Sequence, residues 1–252
     1  MKTNRLVLSL FLIFCLSSCA ANIEVLKKQE EASRNLGEAY MQQRDFSSAL
    51  REFLKAEKIY SKDPILQNDL GLAYMAKDRL DLAVKHFKKA VKLKPDYVPA
   101  KNNLGTAYLA KKEWDVAIAC FKEIVDDILY ATPHFPLTNL GWAYYNKQEY
   151  EVAEKYYLDA LKLEPNFIIA LRGLGRTYMA MERAADAVAM LEKTVKNYPR
   201  SAESYFYLAK AYSLSGEYKK AINSYNKVIE LAPESFLAGE AQKEVEKIKR
   251  LR

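Results

Sequence analysis

The three cysteines and two histidines are the residues best suited to metal binding or nucleophilic chemistry. Metal sites need such residues at short spacings, as in C-x-x-C or H-x-x-x-H, and neither His86 nor His134 lies in one. The sequence contains no GxSxG motif, no phosphate-binding loop and no dinucleotide fingerprint. Acidic pairs such as Asp126-Asp127 are expected by chance in a chain that is 28% charged. We therefore predict no catalytic centre, no metal, no cofactor and no small-molecule substrate.

Another kind of chemistry, covalent lipid attachment, is indicated at the N-terminus. Lys2 and Arg5 give a basic start, and residues 6–16 form a run of almost purely apolar side chains. This run is shorter than the about 20 apolar residues that span a bilayer, and it is typical of a secretory signal peptide. It ends in the sequence Leu16-Ser17-Ser18-Cys19.

That ending resembles the lipobox of bacterial lipoproteins, in which the cysteine is acylated and the chain is cut before it. The resemblance implies a signal peptide at residues 1–18, lipidation of Cys19 and a lipidated tether over residues 19–29. Two or more acyl chains anchor a protein stably where one does not. Ala20 stands where many inner-membrane lipoproteins carry Asp, so the resemblance implies a periplasm-facing outer-membrane lipoprotein. The alternative is an ordinary secretory signal that happens to contain a cysteine.

Composition favours a helical chain with one unpaired cysteine after processing. Half of the 252 residues are hydrophobic, and glycine and proline occur only eight times each, too rarely for a fold rich in β-turns. Removal of residues 1–18 leaves Cys19 for lipid and Cys120 alone, so we expect no intramolecular disulfide and a partly buried Cys120. It also lowers the formal charge from +7 to +5 by removing Lys2 and Arg5. No basic stripe remains, which argues against nucleic-acid binding.

A repeat of about 34 residues organises the rest of the chain. Tyrosine recurs at separations of 34, 34, 36, 34 and 34 residues, at Tyr40, Tyr74, Tyr108, Tyr144, Tyr178 and Tyr212. A leucine and then a small residue precede each tyrosine, at Leu36-Gly37, Leu70-Gly71, Leu104-Gly105, Leu140-Gly141, Leu174-Gly175 and Leu208-Ala209. An alanine follows each tyrosine by nine residues, at Ala49, Ala83, Ala117, Ala153, Ala187 and Ala221. Proline closes four units, at Pro95, Pro165, Pro199 and Pro233.

The residue types in this repeat predict a helical hairpin. Leucine and tyrosine four residues apart lie on one face of a helix. We expect the glycine to let two helix backbones approach closely, against the alanine of a second helix. A large residue follows that alanine by four positions, at Phe53, Phe87, Phe121, Tyr157, Leu191 and Tyr225. The proline ends the second helix and leads into the next hairpin.

The pattern resembles the tetratricopeptide repeat, which implies an all-α, right-handed superhelix (solenoid). We assign six helix-turn-helix repeats to residues 30–234 and a C-terminal capping helix to residues 235–252. One hairpin cannot bury its apolar face alone, so neighbouring hairpins must stack. The sparse apolar residues of the last segment are Phe236, Leu237, Ala241, Val245 and Ile248.

In tetratricopeptide proteins the first helices line a concave groove, which implies the partner-binding positions here. Apolar and mixed positions lie one and four residues after the glycine, at Leu72, Met75, Thr106, Leu109, Trp142, Tyr145, Arg176 and Met179. A polar set precedes the leucine by two residues, at Asn68, Asn102, Thr138 and Arg172. Exposed aromatics and arginines are typical of binding hot spots. The alternative is that these residues face solvent or pack between hairpins. Arg34 and Glu38 occupy first-repeat positions where the carboxylate-clamp members need lysine and asparagine, so that clamp is not reproduced.

The lipobox, the six repeats and a two-residue expansion in 126–133 together resemble the PilF/PilW/Tgl-type pilotins of type IV pili. Members of that family escort secretin subunits to the outer membrane and promote their assembly. The resemblance implies a protein-binding scaffold whose partner is a secretin subunit. The alternative is a lipoprotein scaffold for another envelope system, barrel assembly or polysaccharide export. A peptidoglycan-active enzyme is disfavoured because the repeats leave no room for a catalytic domain.

Overall fold

A computed structural model describes residues 23–125 and 132–250 of the chain. Every regular element in these two ranges is an α-helix, which confirms the all-α class. The predicted signal peptide, Cys19 and most of the expansion, residues 126–131, lie outside the described residues. Residues 23–29, assigned to the tether, are helical and continuous with the first helix of the first repeat.

The described helices follow the predicted repeats in order. Helix α1 covers residues 23–42. It is followed by α2 (Phe46–Ile59), α3 (Pro64–Ala76), α4 (Leu80–Leu93), α5 (Val98–Ala110), α6 (Trp114–Val125), α7 (His134–Asn146), α8 (Tyr150–Leu163), α9 (Ile168–Ala180), α10 (Ala184–Asn197), α11 (Ala202–Leu214), α12 (Tyr218–Leu231) and α13 (Phe236–Arg250). Odd-numbered helices from α1 to α11 are the first helices of the six repeats, and α13 is the additional C-terminal helix.

The chain forms two compact units, one ending at Lys112 and the other beginning at Glu113. The first contains α1–α5 and the second α6–α13. In the first unit α3 packs against α4, and α5 packs against both. In the second unit α9 packs against α7 and α8 in the same manner, and α11 against α9 and α10. Each unit is therefore a stack of hairpins in which successive first helices are neighbours.

Within a hairpin, the large residue of the second helix fits onto the glycine of the first. A Cβ atom built on Gly71 would lie 2.4 Å from the Phe87 ring, and one on Gly141 would lie 2.8 Å from the Tyr157 ring. Phe87 is fully buried and Tyr157 is 1% exposed. The expectation that glycine brings two backbones together is therefore wrong in detail. Its missing side chain makes room for an aromatic ring.

The turn inside each hairpin contains one residue in the left-handed conformation. These residues share the spacing of the repeat tyrosines and have φ between 56° and 77°, at Arg44, Asp78, Lys112, Gln148, Glu182 and Gly216. The next backbone N–H donates to the tyrosine carbonyl, as in Arg79 N–H to Tyr74 O at 2.9 Å. Together with the bond from Asp78 N–H to Met75 O at 2.9 Å, it forms a Schellman motif, a common ending of helices. Main-chain hydrogen bonds thus set the turn.

The ends of the repeats also follow the sequence. Each repeat proline lies two residues beyond the last residue of a second helix, as Pro95 does after Leu93. Helix α13 packs on α12 and α11 and buries Ala238, Ala241, Val245 and Ile248, as a cap should. Phe236 does not join them and is 81% exposed, because it begins α13 before the buried face starts. Leu36 is also 45% exposed, since no described hairpin precedes α1.

A buried ionic cluster connects α1 to α3 in the first unit. Arg34 pairs with Glu38, and its guanidinium lies 3.8 Å from Glu30, 3.5 Å from Asp63 and 3.9 Å from Asp69. Burial, with the negative charge of Asp63, raises the pKa of Glu30 to about 7. Burial, with the charge of Glu38, raises the pKa of Asp69 to about 7. One cation thus faces four carboxyl groups.

The packing of an aromatic ring directly on a glycine predicts that one added methyl group lowers the stability of the fold. Gly141→Ala should lower the melting temperature by several degrees, since overpacking costs about 1–3 kcal/mol and each kcal/mol shifts Tm by about 2–4 °C at this size. Gly239→Ala is the matched control, because its Cβ would meet nothing within 4 Å. That change lies in α13 and should be neutral or slightly stabilising. Equal melting temperatures for the two variants, measured by circular dichroism, would contradict the contact.

The ionic cluster predicts that acid stabilises the first unit. Glu30 and Asp69 hold protons up to about pH 7 when folded but ionise near pH 4 when unfolded. Between pH 4 and pH 7 the folded state therefore binds more protons than the unfolded state. The contribution of these two groups to the free energy of unfolding is full below pH 4 and is lost as the pH rises through 7. We expect Tm to fall by several degrees from pH 5 to pH 8.

Substitution of the two buried acids should weaken this pH dependence. Glu30→Gln with Asp69→Asn removes the titrating groups and should flatten the melting temperature between pH 5 and pH 8. Asp81→Asn is the control, since the Asp81 side chain is 89% exposed and should not affect the slope. An unchanged slope in the double variant would rule out these two carboxyls as its source.

Candidate functional site

The first helices of the second unit carry a cluster of aromatic rings around one arginine. Arg176 of α9 lies between α7 and α11. Its guanidinium carbon is 4.6 Å from the ring centroid of Trp142, 5.0 Å from that of Tyr145 and 5.0 Å from that of Tyr207. Trp142 and Tyr145 are themselves stacked, with centroids 5.7 Å apart and planes 9° from parallel. The repeat places these side chains together because successive first helices are neighbours.

The charge of Arg176 is stabilised by these rings rather than by a carboxylate. A cation over an aromatic face gains about 0.5–2 kcal/mol, depending on its exposure. Within residues 132–250, no acidic side chain lies within ion-pair distance of this guanidinium, whereas Arg172 one turn earlier pairs with Glu203 at 2.7 Å. Arginine stays charged at physiological pH and presents a planar set of N–H donors. This arrangement can bind an anionic group.

Two cavities adjoin Arg176, one on each side. The first has a volume of about 260 Å³ and is lined by Thr138, Asn139, Trp142, Tyr157, Ile169, Arg172, Gly173, Arg176 and Glu203. At the base of this cavity, the missing side chain of Gly173 leaves room for the Tyr157 ring, since a Cβ there would lie 2.4 Å from that ring. Ile169 is 49% exposed at its edge. This cavity can take one large apolar side chain.

The second cavity is larger and more polar, at about 590 Å³. Its lining comprises Tyr145, Arg176, Met179, Ala180, Tyr207, Lys210, Ser213, Leu214, Tyr225, Glu244 and Lys247. Leu214 is 61% exposed and adds apolar surface to this lining. Arg176 lines both cavities, and we refer to the two together as the groove of the second unit.

All six predicted groove residues of the second unit line these cavities. They are Thr138, Trp142, Tyr145, Arg172, Arg176 and Met179. Thr138 is only 3% exposed, because its hydroxyl donates to the His134 carbonyl at 2.7 Å. Their role in binding stays a prediction.

The predicted groove residues of the first unit are less open. Asn68 is buried, and its side-chain oxygen accepts a hydrogen bond from Asn103 at 2.8 Å. Leu109 is 8% exposed and belongs to the core, contrary to the expectation that it faces the groove, since burial of its apolar surface is favourable. Thr106 is half-buried and donates to the Asn102 carbonyl at 2.9 Å.

Three predicted residues of the first unit remain partly accessible. Leu72, Met75 and Asn102 are each half-buried.

Among the lining residues that were not predicted from the sequence are Tyr207, Asn139, Ile169 and Glu203. Tyr207 and Asn139 each precede a repeat leucine by one residue, and Ile169 and Glu203 precede one by five. The repeat phase could have identified both positions. Nothing in the sequence shows that Gly173, which also precedes a repeat leucine, packs against the Tyr157 ring in the first cavity.

The histidines and Cys120 have structural surroundings. His86 is buried, its Nδ1 lies 2.8 Å from the Gln67 side-chain oxygen, and burial lowers its pKa. His134 packs against the Phe135 and Phe167 rings. Cys120 is half-buried in α6, as predicted. Residues 23–125 and 132–250 contain no group of three or more His, Cys, Asp or Glu placed to hold a metal ion.

Two further observations bear on the predicted anchor and clamp. Among the described helices, none has the length and apolar character needed to cross a membrane. Arg34 and Glu38 pair with each other in the ionic cluster of the first unit.

The fold resembles two solved structures over almost their whole length. One is PilW, described as a widely conserved type IV pilus biogenesis factor, with a TM-score of 0.77 and 22% identity, covering 84% of this chain and 98% of PilW. The other is PilF of Pseudomonas aeruginosa, with a TM-score of 0.72 and 19% identity, covering 87% of this chain and 99% of PilF. At these identities the likeness shows the fold alone.

Sequence relatives and family models agree on the repeat. The CTR9 homolog of Arabidopsis thaliana is 28% identical over 120 residues, which are 44% of this chain and 11% of that protein. The chain therefore spans about a tenth of the length of this relative. Models of the tetratricopeptide repeat match residues 21–64 and 172–236, residues 71–112, and residues 135–167. Together they match most of the chain, which therefore belongs to the tetratricopeptide-repeat proteins.

Proposed function

We propose that this protein is an outer-membrane-anchored scaffold of the pilotin type, which promotes the localisation and assembly of a secretin for type IV pilus biogenesis. The observation that carries the proposal is the likeness in fold to PilW and PilF, which extends over 98% and 99% of those chains. Tetratricopeptide repeats bind proteins, so the protein acts by binding and not by catalysis.

The groove of the second unit supplies a surface suited to this role. Trp142 and Tyr145 present stacked rings there, and such residues dominate binding energies when a partner excludes water from them. A secretin subunit that docks along α7, α9 and α11 would be carried to the membrane by the lipid on Cys19. The same surface would serve another envelope assembly, such as barrel assembly or polysaccharide export, if the partner were different.

Loss of the groove aromatics should abolish secretin assembly. Trp142→Ala together with Tyr145→Ala removes two anchors at about 2 kcal/mol each, which weakens binding about a thousandfold. We expect heat-resistant secretin multimers to disappear from gels of envelope fractions, with the circular dichroism of the purified variant unchanged. The control, Tyr218→Ala with Phe236→Ala, removes two exposed aromatics outside the groove. Normal multimers in the groove variant would place the secretin elsewhere.

Lipidation should depend on Cys19 alone. Metabolic labelling with a radioactive fatty acid should mark the wild-type chain and Cys120→Ala, because Cys120 is not part of the lipobox sequence. The Cys19→Ala variant should carry no label, stay unprocessed and be mislocalised. Equal labelling of Cys19→Ala and the wild type would exclude the anchor.

A further inference from the structure

We infer that the groove of the second unit binds an extended segment of its partner through an internal acidic side chain, which pairs with Arg176 beside a large apolar side chain in the first cavity. This inference rests on the proposed function and assigns a chemistry to its ligand. It follows from the surroundings of Arg176, from the charge of the groove and from the shape of the two cavities.

Arg176 is the member of the groove whose charge is available. Among the described residues, its guanidinium contacts three aromatic rings and has no carboxylate partner. Arg183 makes a useful contrast, because it also lies over a ring, that of Tyr178 at 4.4 Å, yet pairs with Glu154 and Asp186. An arginine that stacks on a ring in this chain can therefore still pair with a carboxylate. Arginine and a carboxylate form strong, often bidentate hydrogen bonds.

The charge of the groove complements an acidic segment. Its lining contains four cations and two carboxylates: Arg172, Arg176, Lys210 and Lys247 with Glu203 and Glu244. Arg172 is neutralised by Glu203 at 2.7 Å, and Lys247 lies 3.9 Å from Glu244. Arg176 and Lys210 remain as the excess positive charge.

The shape of the groove indicates an internal acid rather than a chain end. Arg176 lines both cavities, so a peptide whose carboxylate reaches it has space to continue on either side. In the first cavity, Ile169 and Trp142 offer an apolar surface beside Gly173. The second cavity, with Lys210 and Lys247, suits polar or acidic residues. Alternate side chains of an extended peptide would point to the same face.

Differential selection of peptides tests the inference. A random dodecapeptide library displayed on phage is selected on the full chain in detergent and, in parallel, on the Arg176→Gln and Arg183→Gln variants. On the wild type and on Arg183→Gln we expect enrichment of Asp or Glu within three residues of Phe, Tyr, Trp or Leu. On Arg176→Gln the acidic residue should lose its enrichment, while the apolar residue keeps it.

The affinity of one selected peptide then measures how much the acidic side chain contributes to binding. We expect the peptide to bind the wild type about tenfold or more tightly than its acid-to-amide analogue, by fluorescence anisotropy, and this ratio to approach one on Arg176→Gln. Circular dichroism checks that the variants are folded. Selection of no peptide, the absence of acidic enrichment, or the same motif on Arg176→Gln would each overturn the inference.

The peptide selection and the secretin-multimer experiment can fail independently of each other. If the selection fails but the Trp142→Ala, Tyr145→Ala variant still loses secretin multimers, the acidic segment is wrong and the secretin role stands. If the selection succeeds but that variant supports normal multimers, the groove binds an acidic segment of a partner other than the secretin.

Discussion

The fit of a large side chain of the second helix onto a glycine of the first, seen in the first, second, fourth and fifth hairpins, is the contact on which the rest of the structure depends. Phe53 on Gly37, Phe87 on Gly71 and Tyr157 on Gly141 leave no room for a methyl group. Each contact fixes how closely the second helix approaches the first and at what rotation. The rotation of the first helix decides which of its residues face the neighbouring helices, so these contacts also determine which residues line the groove.

Tyr157 shows how this constraint reaches the site. Its ring packs on Gly141 of its own hairpin and also on Gly173 of the next, where a Cβ would lie 2.4 Å away. The same ring thus joins two hairpins and closes the base of the first cavity. Glycine in the middle of a helix costs about 0.5–1 kcal/mol relative to alanine. Here a glycine in each of two helices allows one aromatic ring to be buried between them.

The fold could be predicted from the sequence because the residues that make the packing contacts recur in each of the six repeats. The leucine, glycine, tyrosine and alanine positions identify the buried faces, and the prolines mark the ends of second helices. The site was only partly predictable. The phase of the repeat located Trp142, Tyr145 and Arg176, but it gave no distances across helices, so neither Tyr207 nor the missing acidic partner of Arg176 followed from it. Leu109 occupies a groove position by phase and is nonetheless buried, because phase does not report how much surface its neighbours cover.

The left-handed residue in every hairpin turn has a consequence for how the surface of this protein can diverge. Five of the six positions hold long polar or charged side chains instead of glycine: Arg44, Asp78, Lys112, Gln148 and Glu182. The hydrogen bonds that close the turn are made by the backbone, so many different side chains can occupy this position. Each non-glycine residue there raises the free energy of the folded state by about 1–2 kcal/mol, because its backbone is left-handed. Substitutions at these positions can therefore change the charge along one edge of each unit without disturbing a helix.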